Sequence, residues 1–533
     1  MKQLKTLLLA VVLTAFAVQS QAQQTRYLDE IFTNVTVTSD TAYGQNYSIL
    51  PIILQQSTVP VLLPLVMDVY QPMGDTATNR PLVLIAHTGT FFPPIANGTP
   101  YGSKTDSILV ELATRMAKRG YVVACPTYRQ GWNALGDALA KQKTLLQAAY
   151  RGIQDMRACI RYFRNTAANG NGWGIDANRI VMGGSGTGAY LSYPVGYLDK
   201  NIEILKTKFI DFSVTPAEPF VDTVTAAGVY GLEDVPGSNF PNFPTESSDV
   251  QMVFGIGGAL GDRSWVDGGP PVVGIHTTMD PFAPYNIADV IEPINGDIVI
   301  GSAAGGLGVT EIADSVGIND VFKNAVWADD LTPIVNGRNG GIPGLLNFIT
   351  PFYPDSMVEC ITGIQDTVPQ EGSPWNWFNE TFYAAAWDMQ MNPPIPGSVE
   401  VCLETLVPND PVRARRYADT IMDYLLPRMA VALDLRPARD SVLNTTSIDQ
   451  PINQVAFSAY PNPAQNSLII ELEDASQPIL QVELYDLSGR RVYAASGLRT
   501  FRHEIQRGNL TDGVYLLKAQ VENGLITEKI IFE

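Results

Sequence analysis

The chain has 533 residues, 45% hydrophobic and 17% charged, with 45 glycines, 37 prolines and three histidines. Its 35 Lys+Arg against 54 Asp+Glu leave a formal net charge of −19, which repels phosphate backbones and anionic lipid and argues against nucleic-acid partners. The apolar fraction is that of a globular protein, excluding global disorder, a collagen-like repeat and a multi-span membrane protein; the length predicts two to four domains at about 100–200 residues each.

The first 22 residues read as an export signal. Lys2 and Lys5 precede the apolar run Leu7 to Val18, and Ser20-Gln21-Ala22 supplies small residues for cleavage. A buried N-terminal helix is the other reading. No later stretch reaches the roughly 18–20 apolar residues of a spanning helix, so no transmembrane anchor is expected. Four cysteines remain: Cys125, Cys159, Cys360 and Cys402. Cys125 sits in a strand-like run and Cys159 in a helical one, as buried core residues do. Cys360 and Cys402 flank a Pro- and Trp-rich region where a disulfide is plausible in an exported chain. Four cysteines allow three pairings, which spacing alone does not choose among. No CxxC or His/Cys cluster signals a metal.

Between residues 60 and 290 short apolar runs alternate with helical stretches. Pro81 to Ala86, Gly120 to Ala124, Arg179 to Met182 and Pro271 to Ile275 read as buried strands, and Ser107 to Arg119 and Gln142 to Arg164 as helices. That alternation predicts an α/β domain with a mainly parallel sheet covered by helices on both faces. The domain is expected to span residues 23–435, with a loop-rich insertion over about 290–410 and a last helix from Pro411.

Three segments carry the chemistry. His87-Thr88-Gly89 follows the first strand. Arg179-Ile-Val-Met-Gly-Gly-Ser-Gly-Thr-Gly188 runs from a strand through small residues towards a helix, as a tight turn exposing Ser185 requires. Val273-Gly-Ile-His-Thr-Thr-Met-Asp-Pro-Phe-Ala-Pro-Tyr285 ends a third strand. A glycine-rich turn, or an anion-binding loop at a helix N-terminus, is the plainer reading of the second segment. Together the three resemble the α/β hydrolases, especially their carboxylesterase-like branch. The resemblance spans about residues 60–300 and continues more weakly to 435. It implies Ser185 as nucleophile, Asp280 as triad acid, and an oxyanion hole from Gly186 with Thr88 and Gly89. His87 and His276 are then loop-positioning residues or an unusual base. Thr88 and Thr187 stand where glycine is usual.

The family's triad runs Ser, then Asp or Glu, then His. The base should follow the last strand, for which Asn319 to Val326 is the candidate, but the loop after it holds no histidine. His503 is the sole histidine beyond Asp280 and lies in the C-terminal segment. Loss of the base in a serine protease costs about a million-fold. Trp375, Trp377, Phe378, Phe382, Tyr383 and Trp387 of the insertion either wall a ligand cleft or form a satellite core.

A polar linker, 436–454, leads to an all-β segment at 455–533. Its strands are broken by turns at Ser488-Gly489, Asp512-Gly513 and Asn523-Gly524. Tyr460-Pro-Asn-Pro463, Leu487-Ser-Gly-Arg490, Gly513-Val-Tyr-Leu516 and Glu528-Lys-Ile-Ile531 resemble the C-terminal sorting domain of the Bacteroidetes type IX secretion system. That implies a β-sandwich recognised by the secretion machinery, export by way of the periplasm to the surface or outside, and removal of the domain. An adhesive or carbohydrate-binding sandwich is the other reading. Two functions follow as expectations. One is a secreted serine hydrolase cleaving an ester by acyl-enzyme chemistry, without a cofactor or metal. The alternative is a catalytically inactive hydrolase fold that binds a ligand or partner at the cell surface.

Overall fold

The computed structural model describes residues 26–97, 99–221, 239–292, 296–327, 329–350, 371–380, 409–435, 457–472, 478–486, 491–521 and 524–533. The export signal, the linker, Cys360, Cys402, Phe382, Tyr383, Trp387 and the turn Leu487 to Arg490 lie outside these residues. The chain divides into two compact units, Met1–Thr445 and Thr446–Glu533.

The larger unit is built on one eight-stranded sheet. In chain order its strands are β1 (Val35–Ser48), β2 (Val61–Pro72), β3 (Arg80–Ala86), β4 (Val122–Pro126), β5 (Ile175–Ser185), β6 (Met252–Ile256) and β7 (Val272–Thr277). β8 (Ile287–Ile291) and β9 (Ile298–Ala304) form a separate hairpin, and β10 (Leu345–Phe348) returns to the sheet. The order across the sheet is β1-β2-β4-β3-β5-β6-β7-β10. β1 and β2 pair antiparallel with their neighbours, and from β4 onward every pair is parallel. β3, β4, β6 and β7 are buried along their whole length. They read as unbroken apolar runs because helices cover both faces.

The faces have separate cores. α1 (Ser107–Lys118) buries Ile108, Leu109, Leu112, Ala113 and Met116, a stripe at helical spacing, on one face. α6 (Pro411–Ala432) joins it there. The opposite face is covered by α2 (Ala138–Ala168), α3 (Ala189–Tyr197) and α4 (Gly306–Ser315). α5 (Leu331–Asn339) packs Val335 into the first core. Two buried charges of this unit are held by ion pairs, as burial favours. Asp155 on α2 accepts from the Arg129 backbone at 2.8 Å and lies 2.9 Å from its guanidinium. Lys141 holds the β8–β9 hairpin through Glu292 at 3.1 Å and Asp297 at 2.9 Å. At the start of α6 the Asp410 carboxylate caps the Val412 and Arg413 N–H groups at 2.9 and 3.0 Å. Asp410→Ala is expected to cost about 1 kcal/mol, read as a lowered urea midpoint.

Three sequence expectations change here. Asn319 to Val326 is not a strand: Asp320–Lys323 is one helical turn, and the last strand is β10, paired with β7 from Leu345 against Gly274 to Phe348 against Thr277. The stretch 290–410 therefore includes a strand of the main sheet and helices of its cover, not only an overlying insertion. Cys125 and Cys159 are buried free thiols. Trp375 and Trp377 are buried in the α1/α6 core, and so belong to the main core rather than to a satellite or a cleft wall.

The smaller unit is all antiparallel. Phe457–Tyr460, Ser467–Leu472 and Arg502–Gln506 form a three-stranded sheet; Ile479–Asp486, Arg491–Thr500, Gly513–Val521 and Gly524–Phe532 form a four-stranded one. Leu468, Ile470, Leu484, Ile505, Leu517 and Ile530 pack between them. His503 lies here, its Nε2 2.9 Å from the Tyr493 hydroxyl.

Candidate active site

The three motif segments meet at the C-terminal ends of β3, β5 and β7, the edge where open α/β sheets receive ligands. β5 enters a 3-10 turn at Gly186–Gly188 and then α3. The crowding of this turn accounts for its small residues: a Cβ on Gly184 would overlap the Gly188 carbonyl.

The left-handed residue of the turn is Gly186, with φ +53. Ser185 is still strand, with φ −111 and ψ 137, paired in register with Ile256. Side chains alternate along a strand. Ile180 and Met182 enter the α2/α3 core, whereas Val181 enters the α1/α6 core with Ile256 and Trp375. Ser185 shares the parity of Val181 and is 1% exposed. Among the described residues its Oγ has no hydrogen-bond partner. The expected exposed serine above the sheet is thus a buried strand residue. In a Gly-x-Ser-x-Gly elbow the central residue occupies the strained turn. Here the glycine frame Gly184-x-Gly186-x-Gly188 centres on Gly186, one residue after the serine.

The loop after β3 meets this turn through threonines. Thr187 N–H donates to Thr88 Oγ1 at 3.3 Å, and Thr90 N–H donates to Thr187 Oγ1 at 2.8 Å. One loop N–H, that of Thr90, thus bonds directly to the elbow. Gly89, Thr90 and Phe91 all have positive φ, and the Gly89 carbonyl accepts from the Asn97 amide at 3.1 Å. Thr90 does not stand out in the sequence, because a backbone donor leaves no mark in residue type.

His87 is 2% exposed and stacks on Tyr128, with ring centroids 4.4 Å apart. Its Nδ1 lies 2.6 Å from the Thr88 carbonyl, which only accepts, so Nδ1 carries the hydrogen. Burial pushes its pKa down to about 4, against the opposing pull of that bond. The Tyr128 hydroxyl donates to the His87 carbonyl at 2.9 Å, fixing the same loop.

His276 is fully buried on β7, and both its nitrogens are used. Gly306 N–H donates to Nδ1 at 3.1 Å; Nε2–H then faces the Ala283 carbonyl at 3.2 Å and Asp280 Oδ2 at 3.3 Å. Asp280 Oδ1 accepts from the backbone N–H of Phe282 at 2.8 Å and of Ala283 at 3.1 Å. Histidine and acid are brought together in the turn after β7. The segment 371–377 lies over them. A Cβ on Gly372 would stand 2.7 Å from Asp280 Oδ1, and the Thr277 hydroxyl donates to the Gly372 carbonyl at 3.3 Å. Away from this edge, Asp199, Glu203 and Asp267 bring carboxylate oxygens within 4.8 Å of one another. The Lys200 ammonium is already among them, 2.6 Å from Asp267 and 3.3 Å from Asp199.

Residues 67–290 match the BD-FAE family model, and residues 458–533 match the secretion system C-terminal sorting domain. No curated protein matches the chain. Similar solved structures include Thermogutta terrifontis esterase 2 phosphorylated by paraoxon, at 14% identity over 60% of this chain and 83% of that one, with TM-score 0.30. Another is the native form of the same thermophilic Planctomycetes esterase, at 14% identity over 54% and 78%, with TM-score 0.28. Among the described residues no helix is long and apolar enough to cross a membrane. The chain joins an esterase-like α/β-hydrolase domain of the BD-FAE family, at residues 67–290, to a type IX sorting domain, at residues 458–533, that directs it to the cell surface or outside.

Proposed function

We propose that the larger unit is a hydrolase fold that binds a ligand or partner at the cell surface and does not carry out serine acyl-enzyme chemistry. The observation that carries this reading is that, among the described residues, no histidine reaches the Ser185 hydroxyl. The chain has three. His276 spends one nitrogen as acceptor and the other as donor, His503 belongs to the sorting domain, and His87 is tied to its own loop. Ser185 Oγ meets none of them. A serine without a base keeps at best about 1,000–10,000-fold over water, from oxyanion stabilisation and binding. Here two backbone donors, Thr187 N–H at the elbow and Thr90 N–H in the loop, are already bonded to threonine hydroxyls, which takes them from that remainder.

Asp280 is accordingly assigned a structural role, closing the turn after β7, and Gly89 holds the shape of its loop. The family match favours the rival reading, a secreted esterase using Ser185 and Asp280. The two separate cleanly. With the full chain, a fluorophosphonate probe is expected to leave Ser185 unmodified in peptide mapping, and p-nitrophenyl acetate is expected to hydrolyse at the buffer rate. An adduct on Ser185, with ester turnover that disappears in Ser185→Ala, would return the protein to the esterases.

A further inference from the structure

Two residues at the elbow depart from the hydrolase pattern, and each accounts for the other. Gly186 occupies the strained turn where a nucleophile's side chain belongs, and Thr88 occupies a loop position where glycine is usual. A Cβ on Gly186 would overlap Thr88 Oγ1 and lie 2.8 Å from Thr88 Cβ. A side chain at 186 and a threonine at 88 exclude each other.

We infer that Thr88 is the resident occupant of the oxyanion hole, an autoinhibitory contact supplied by the fold itself. Its Oγ1 fills the room a side chain at position 186 requires. It also accepts the Thr187 N–H that a substrate carbonyl oxygen would take. Thr187 returns the contact through its own hydroxyl, which accepts from Thr90 N–H. The two threonines thus clasp loop to turn, and the N–H groups of Thr187 and Thr90 are satisfied within the chain. Gly186 and Thr88 are both half-buried, so the clasp itself, rather than deep burial under another segment, closes the turn. This rests on the non-hydrolytic reading and names the group that enforces it.

Thr88→Val keeps the shape and removes the acceptor, whereas Thr88→Ser keeps the acceptor. Hydrogen exchange with fragmentation resolved to Thr187 is expected to be slow in the wild-type chain and in Thr88→Ser. In Thr88→Val it should quicken by about tenfold, the worth of one ordinary hydrogen bond. Separately, Gly186→Ser should lower the Tm, and adding Thr88→Gly should recover at least half of that loss, since the second change vacates the space the first one needs. Unchanged exchange at Thr187 in Thr88→Val would overturn the occupancy, as would strictly additive Tm losses at 186 and 88. Either failure leaves the histidine argument intact, whereas fluorophosphonate labelling of wild-type Ser185 defeats the non-hydrolytic reading without touching the exchange result.

Discussion

Acidification from pH 7 to pH 4 is expected to remove about 3 kcal/mol of stability from the larger unit through His87 alone. The side chain is buried against Tyr128, and its pKa falls from an ordinary 6.5 to about 4 because charging it would strand a cation in the core. The sign follows from which state takes the proton. Between pH 6.5 and 4 the unfolded chain binds a proton at His87 that the folded chain refuses, so stability is fully present above pH 6.5 and drains away as pH falls through that window. At about 1.4 kcal/mol per pH unit, the interval amounts to roughly 3 kcal/mol. His87→Asn retains a side-chain N–H for the Thr88 carbonyl and does not titrate. All seven tryptophans precede residue 446, so their fluorescence in urea reads the larger unit by itself. The wild-type and His87→Asn midpoints should diverge from pH 7 to pH 4, the wild type losing more. Parallel curves would mean that His87 is not buried neutral.

The strands that positioned the site were legible because they are buried on both faces. Pro81 to Ala86 and Pro271 to Ile275 stand out as apolar runs for that reason, and they match β3 and β7 closely. β10 is four residues, Leu345–Phe348, between a Gly- and Pro-rich approach and a loop, and a run that short has no periodicity to read. Without it the expected last strand falls at Asn319–Val326 and the histidine loop just beyond, where apolar residues belong to a helical turn that buries Phe322. The long β1–β2 ribbon was missed for a different reason. β1 lies at the edge of the sheet, alternates only partly and is bulged near Asp40 and Tyr43, so its pattern is blurred.

At the site, residue types were visible and their register was not. Ser185 is the one serine in a run of glycines, and chemistry alone points to it as the nucleophile. The backbone places the left-handed turn one residue later, at Gly186. A nucleophile frame and a glycine frame differ there by a single position, and only φ distinguishes them. Thr88 looked like a weakened oxyanion loop because the partner that makes sense of it is about 100 residues away in sequence. The exchange between positions 88 and 186 exists only in the folded molecule. His276 is the converse case. Its spacing from Asp280 was plain, but the role of that spacing depends on Gly306, which arrives from the start of α4 to occupy Nδ1.

Asp280→Ala is expected to destabilise the larger unit by about 3–5 kcal/mol, the cost of breaking a buried charged group out of its network. The carboxylate is 3% exposed and serves three donors: the N–H groups of Phe282 and Ala283 at Oδ1, and His276 Nε2–H at Oδ2. Gly372 lies directly over it, so water has no easy route to replace the lost acceptor. An unsatisfied buried donor costs about 1–3 kcal/mol. His276 keeps the Ala283 carbonyl, and part of the loss is relieved if the turn loosens, which holds the total below the sum of three. Asp280→Asn should fall between alanine and wild type. It keeps an oxygen for the two backbone donors but turns an amide N–H towards His276 Nε2–H, setting donor against donor. A catalytic acid behaves otherwise, since its replacement removes turnover while leaving stability unchanged or raised, active sites being held at a cost to the fold. Urea midpoints by tryptophan fluorescence at pH 7 decide between them. The order wild type, then Asn, then Ala identifies a residue kept for the turn after β7. A variant Asp280→Ala as stable as wild type would mean that the three hydrogen bonds hold nothing in place, and the carboxylate would have to be explained by chemistry after all.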